Sequence, residues 1–276
     1  MQGMTEREKF LFDLNGYIVV PGVLTSEEVA ALNAAVDANA AGIHDYNVGE
    51  MPPAVRGSRD MQILAGLLTF DEPHCNPFSR LIAHPKIRPY LNTMLGQGWH
   101  LDQEPFVFLA EEGAAGLVFH GSTRVHPYGG FQYDYNNGVM QCGMVVLEFH
   151  LNEQVEDQGG FACVPGSHKA NVGVPASVVN YETDRDQFVN PGAKAGDLII
   201  FSEATLHGTL PWRAKSQRRV ALYRYCPAYL QNGGFASSLK APEWVNELEE
   251  AEKVAVEPPY ITKRPYIADD GTVVRP

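Results

Sequence analysis

Residues 196–219 read GDLIIFSEATLHGTLPWRAKSQRR. A short apolar run, Leu198 to Phe201, gives way to Glu203, then His207, then the pair Arg218 and Arg219. In RRVALYRYC the period of two puts Arg218, Val220, Leu222 and Arg224 on one strand face. If that face points inward, Arg218 is a buried cation and requires an anion. No acidic residue near it in sequence is an obvious partner. A bound carboxylate would serve, held by the guanidinium through two parallel hydrogen bonds. The competing reading is a solvated arginine pair at the start of a strand.

Other residues invite the same question. His120 ends the apolar run of GLVFHGSTRVHPYGG, where small residues leave space for it to reach a metal; a hydrogen-bonded structural histidine is the bland alternative, and the same holds for His126. In CGMVVLEFHL, Val145, Leu147 and Phe149 form one apolar face, with Glu148 and His150 on the other. That second face reads as the wet side of an antiparallel sheet rather than a ligand wall. Ser167-His168 does not make a hydrolase: adjacent residues cannot face each other, and the G-x-S-x-G elbow is missing. Neither a phosphate loop nor a dinucleotide fingerprint occurs.

The elements that must position these residues are legible in outline. TSEEVAALNAAVDANA predicts a helix, with Thr25 and Glu28 as a capping box. GYIVV predicts a strand ending at Pro21-Gly22. RLIAHPKIRPYLNTMLG predicts two helical pieces broken at Pro85 and stopped at Gly96. From about residue 100, short apolar or alternating runs recur between turn signals: PFVFLA, GLVFHG, GGFQYDYNNG, CGMVVLEFHL, GGFACVPGSH, GDLIIFS and RRVALYRYC. That texture predicts a sandwich or barrel, not a parallel α/β sheet. PEWVNELEEAEK returns to helix before an extended, proline-rich tail. The expected organisation is one domain, 1–276, with an N-terminal elaboration (1–99), a β core (100–230) and a C-terminal helix and tail (231–276).

The 276 residues carry a formal charge of -12, which disfavours nucleic acid or an anionic membrane as partner. Cys75, Cys142, Cys163 and Cys226 make no CxxC pair and read as reduced thiols of a cytoplasmic protein. The charged N-terminus does not resemble a signal peptide, and no apolar run approaches the roughly 20 residues of a membrane span.

Three ordered stretches, FDLNGYIVVPGVLTSEEVAALNAAVD, GGFACVPGSHK and GDLIIFSEATLHGTLPWRAKSQRRVALYRY, resemble the phytanoyl-CoA dioxygenase family over about residues 10–230. The resemblance implies a mainly β fold: a double-stranded β-helix, the cupin-like jelly roll, with helices packed outside. It also implies Fe(II), 2-oxoglutarate and O2 as cofactor and co-substrates, and oxidation of a small-molecule metabolite. His207-Gly208-Thr209 matches the family's distal H-G-[ST] segment, making His207 an iron ligand. Arg218, eleven positions on, becomes the anchor of the 2-oxoglutarate C5 carboxylate, assisted by Thr209. The proximal His-x-Asp is broken: His120 is followed by Gly121-Ser122, and the carboxylate is missing.

A facial site needs two imidazoles and one carboxylate, with three positions open. Glu203 is the preferred replacement and Asp134, in GGFQYDYNNG, the main alternative. A site left open as in iron halogenases of this fold, or a jelly-roll binding protein without turnover, would need neither. Tyr133 and Trp212 are candidates for pocket walls, with core packing as the plainer reading. Oligomeric state has no sequence signal.

Overall fold

The computed structural model describes residues 3–46, 49–121, 131–232 and 243–276. In chain order its strands are β1 (Tyr17–Val20), β2 (His44–Tyr46), β3 (Met61–Leu64), β4 (His100–Leu101), β5 (Phe106–Ala110), β6 (Leu117–His120), β7 (Tyr133–Asn136), β8 (Val139–Cys142), β9 (Val145–His150), β10 (Gly160–Cys163), β11 (Leu198–Ser202), β12 (His207–Leu210), β13 (Arg218–Cys226), β14 (Tyr266–Ile267) and β15 (Val273–Val274). The helices are α1 (Glu6–Asn15), α2 (Ser26–Ala38), α3 (Asn76–Leu81), α4 (Arg88–Leu95), α5 (Ala176–Val179) and α6 (Glu250–Val256).

A large sheet runs in the order β1-β11-β9-β13-β5-β3-β2, with β4 added beside β13. A small sheet runs β10-β12-β6. The strands of both sheets pair antiparallel. Between the sheets lies a core of Phe108, Val146, Ile199, Val220 and Leu222 from the large sheet, packed with Phe161 and Cys163 from the small one. On the other face of the large sheet, Val107, Leu147, Phe149, Ala221, Tyr223 and Tyr225 pack against Phe12 of α1, Val36 of α2, Phe78 of α3, Leu91 of α4 and Val254 of α6. This is the expected jelly roll with helices outside.

Two covered faces explain the sequence texture. β9 and β11 are buried at every position, so they read as nearly continuous apolar runs. β13 alternates: its outward tyrosines reach the helices, the Tyr223 hydroxyl donating to the Phe78 carbonyl (2.8 Å) and that of Tyr225 to the Ile82 carbonyl (2.8 Å). Its other face, Arg218 to Arg224, points between the sheets. The expected wet face of β9 is corrected here. Glu148 and His150 are buried, because the small sheet covers the side that alternation alone left unassigned.

The capping box at Thr25 and Glu28 is present, and β1 ends before Pro21-Gly22. α3 and α4 flank Pro85, and α4 stops at Gly96, whose φ of +78° suits glycine. Besides the expected β1, the N-terminal region also supplies β2 and β3 to the large sheet, so the β core draws on residues before 100. The tail is not simply extended but closes a β14–β15 hairpin. β12 is a full strand, hidden in the sequence by the turn-like Gly208-Thr209. All four cysteines are free, with Cys142, Cys163 and Cys226 buried and Cys75 half-buried.

Ser167 and His168 are structural. Ser167 Oγ donates to the Val164 carbonyl (2.6 Å) and accepts from the Leu206 amide (2.7 Å). His168 Nε2 donates to the Asp13 carbonyl (3.0 Å), its ring edge-on to Tyr133, whose hydroxyl binds Asp13 Oδ1 (2.5 Å). This clasp fastens α1 to β7. Burial pushes the His168 pKa down to about 4 from 6.5, outweighing the bond to Asp13. The unfolded chain therefore binds a proton that the folded chain resists, and stability falls as pH drops from the unfolded value to about 4. The expected loss is about 3 kcal/mol, read by urea unfolding across that window. His168→Gln is expected to remove the share of the slope that His168 contributes, leaving that of the other buried histidines, His84, His100 and His207.

Candidate metal centre and its cavity

β6 and β12 are neighbours in the small sheet, and their register sets His207 opposite His120. The rings stand 4.3 Å apart between centroids. Glu203, in the turn between β11 and β12, reaches both: Oε1 lies 3.7 Å from His120 Nε2, and Oε2 lies 3.8 Å from His207 Nε2. One donor atom from each of the three residues falls within 4.8 Å of the others.

The opposite ring nitrogens fix the tautomers. His120 Nδ1 is 2.9 Å from the Val118 carbonyl, and His207 Nδ1 is 2.7 Å from the Thr205 carbonyl. A carbonyl only accepts, so each Nδ1 carries a proton, which leaves Nε2 as the nitrogen that turns toward Glu203 and is placed to bind a metal. Burial holds the His207 pKa well below the usual histidine range, and the neighbouring His120 and Arg224 push the same way. Two imidazoles offering Nε2 and one carboxylate are the donor set that suits a divalent first-row metal with open positions. Among the described residues, this is the group of histidine, cysteine and carboxylate donors able to hold one.

The donors open onto a cavity of about 340 Å³ between the sheets. Phe108, Phe161, Phe201 and Leu222 give it apolar walls, and Glu148, Thr209 and Arg224 supply polar groups. Arg218 lies behind Glu148, 2% exposed. Its Nη2 donates to Glu148 Oε1 (2.5 Å) and its Nε to Gln154 Oε1 (3.2 Å). The anionic partner that sequence proximity did not reveal is thus Glu148, 70 positions away. The solvated-pair reading holds only for Arg219, which pairs with Asp37 at 2.8 Å, its own side chain 18% exposed and that of Asp37 64%. Burial alone would raise the Glu148 pKa, but the charge of Arg218 and the proximity of His150 outweigh it and keep the carboxyl below its ordinary value. Arg218 Nη1 is buried with no hydrogen-bond partner. An orphaned guanidinium nitrogen beside a cavity fits an incoming carboxylate, so the residues present also suit 2-oxoglutarate.

Other sequence candidates lie elsewhere. Asp134 is exposed on β7, paired with Gln141 of β8, and lies outside the donor group. Tyr133 and Trp212 are buried packing residues. His126 and Ser122 fall outside the described residues. Arg224 went unremarked as a site residue, although its place on the inward face of β13 was readable from alternation.

A family model described as phytanoyl-CoA dioxygenase matches residues 12–220. The chain belongs to the phytanoyl-CoA dioxygenase family. Membership makes it an oxidoreductase of the non-haem iron, 2-oxoglutarate-dependent class that uses O2. Solved structures share the family's fold. HygX from Streptomyces hygroscopicus, with nickel, 2-oxoglutarate and hygromycin B bound, is 20% identical and has a TM-score of 0.68, the alignment covering 86% of this chain and 95% of that one. SnoN, an α-ketoglutarate-dependent epimerase from nogalamycin biosynthesis, is 21% identical with a TM-score of 0.61, covering 86% and 87%. AviO1 from Streptomyces viridochromogenes Tue57 is 16% identical with a TM-score of 0.61, covering 84% and 100%. No curated protein sequence matches the chain. No helix among the described residues is long and apolar enough to cross a membrane.

This phytanoyl-CoA dioxygenase family chain has glycine where the family's proximal motif continues after the histidine. Gly121 has φ +103°, and a Cβ there would stand 2.8 Å from the Glu203 carbonyl oxygen, with the Thr205 carbonyl closer still. Only glycine lets the backbone bearing His120 approach the turn bearing Glu203. Gly121→Ala is expected to cost about 1–3 kcal/mol of stability. It should also weaken Fe(II) binding roughly 10-fold, as disturbed support of metal ligands does. Denaturant titration and anaerobic Fe(II) titration read the two effects.

Proposed function

We propose that His120, Glu203 and His207 hold Fe(II), and that Arg218 and Thr209 receive the distal carboxylate of 2-oxoglutarate, in a cytoplasmic enzyme that oxidises a small-molecule metabolite. The observation that carries this reading is the convergence of three donors whose imidazole tautomers are set by the Val118 and Thr205 carbonyls. Glu203 stands in for the aspartate missing after His120. It comes from the loop before the distal histidine, which restores a facial set of two histidines and one carboxylate. With a carboxylate at the third position, the open halide site of an iron halogenase has no support here.

Iron and 2-oxoglutarate, when bound, supply the O2-driven oxidation of an unactivated carbon with succinate as by-product. The chain's own residues position and shield. Hydrogen bonds from Nδ1 to the carbonyls orient the rings and make each Nε2 a better donor. Phe108, Phe161 and Phe201 give the cavity beside the donors an apolar wall. Thr209 lines the cavity, and Arg218, directly behind the cavity-wall residue Glu148, keeps Nη1 without a hydrogen-bond partner for an incoming anion. Hygromycin B bound to HygX supports a substrate of small-metabolite size.

The test is the visible charge-transfer band of the anaerobic Fe(II) and 2-oxoglutarate complex. His207→Ala and Glu203→Ala are expected to abolish the band or weaken Fe(II) binding by more than about 100-fold, whereas Asp134→Ala leaves it unchanged. A band that survives Glu203→Ala but is lost in Asp134→Ala would move the third ligand to β7. No band in the unsubstituted protein at saturating iron would overturn the 2-oxoglutarate mechanism.

A further inference from the structure

Arg218 is the expected carboxylate anchor, yet it already holds a carboxylate. Glu148 Oε1 sits 2.5 Å from Nη2, and both side chains are almost wholly buried. Glu148 is also part of the cavity wall, so an anion reaching Arg218 must come to rest beside it. The one guanidinium nitrogen without a partner is Nη1, so the incoming carboxylate has a donor without evicting Glu148. Two carboxylates would then share one buried guanidinium. In a site screened from water, like charges at that range cannot both remain ionised unless a further positive charge is added.

The structure places a receptor for that charge. His150 Nε2 is 3.2 Å from Glu148 Oε1 on the same strand face, and neither of its buried ring nitrogens makes a well-formed hydrogen bond. An imidazole with two unmet nitrogens next to a carboxylate can take up a proton, or leave it on the carboxyl and accept a bond from it. The charged or titratable groups recorded around Glu148 are Arg218 from β13 and His150 from its own strand, and at longer range, lining the same cavity, Arg224 from β13, His120 from β6, His207 from β12 and Glu203 from the turn before it. Its neighbours across the large sheet, Ile199 on β11 and Leu222 on β13, are apolar.

We propose that Glu148 and His150 form a proton-accepting pair that couples binding of the 2-oxoglutarate carboxylate at Arg218 to uptake of one proton from solvent. The proposal rests on the reading of Arg218 as anchor. In the free protein Arg218 keeps Glu148 ionised, so the ion pair is closed and neutral. In the complex the pair shares a proton, and Glu148 ceases to compete for the guanidinium. Glu148 is a positioning residue: it sets the charge that the anchor offers. Because the proton enters with the ligand, affinity should weaken as pH rises, by up to about tenfold per pH unit.

The experiment is calorimetric titration of the anaerobic Fe(II)-loaded protein with 2-oxoglutarate, in buffers of different ionisation enthalpy at pH 7 and 8. Glu148→Gln keeps the side chain's shape and an acceptor for Arg218 but removes the charge. The unsubstituted protein is expected to take up about one proton more per 2-oxoglutarate than Glu148→Gln. The variant should bind at least about tenfold tighter at pH 8 and lose most of the pH dependence. Equal proton counts, or weaker binding by Glu148→Gln with an unchanged pH slope, would overturn the proposal. So would zero uptake in the unsubstituted protein, an outcome that does not depend on whether the variant folds. Arg218→Ala separates this from the underlying reading: if it binds 2-oxoglutarate as well as the parent, the anchor assignment falls and the coupling with it.

Discussion

His120 and His207 face each other across one antiparallel pair, and the candidate metal centre depends on that register. A slip of one residue would turn one imidazole to the far side of the small sheet. The pairing brings the rings together, the carbonyls at Val118 and Thr205 set their protons, and the tight turn after β11 delivers Glu203 to the same point. None of this needs a dedicated loop. The site is made of a strand end, a strand start and the turn between two strands, elements held by the core that separates the sheets.

The large sheet serves both of its faces at once. Its outer face is sealed by helices, with Tyr223 and Tyr225 bonded to carbonyls within α3 and just after it. Its inner face carries the ion pair of Arg218 with Glu148 among apolar residues. A buried ion pair adds little net stability, and removing either member leaves an uncompensated charge. Its retention inside a cavity wall is more readily understood as a binding feature than as a structural one.

The strand runs of the core were legible because each is short, apolar and bounded by glycine, proline or asparagine. Glu203 was reachable from sequence by its place at a strand break four residues before His207. Three things were not legible, each for a physical reason. Alternation along β9 separates two faces but does not say what covers the second, so Glu148 and His150 looked wet. The partner of Arg218 is distant in sequence, and strand pairing rather than proximity brings it near. β12 was obscured because Gly208 and Thr209 read as turn residues, although glycine is what the close approach of Phe119 requires, a Cβ there lying 2.9 Å from its ring.

The cysteines acquire a meaning from the chemistry around them. Sulfur oxidation begins at the thiolate and requires access. Burial pushes the thiols of Cys142, Cys163 and Cys226 well above their ordinary range, and even half-buried Cys75 is raised, by burial and by Glu72. Cys163 lies opposite His207 in the β10–β12 pair, one strand from the metal donors, yet stays protonated inside the core. A protein that handles iron and oxygen generates oxidants at its own centre, and this one keeps its most vulnerable side chains in the form that reacts least with them.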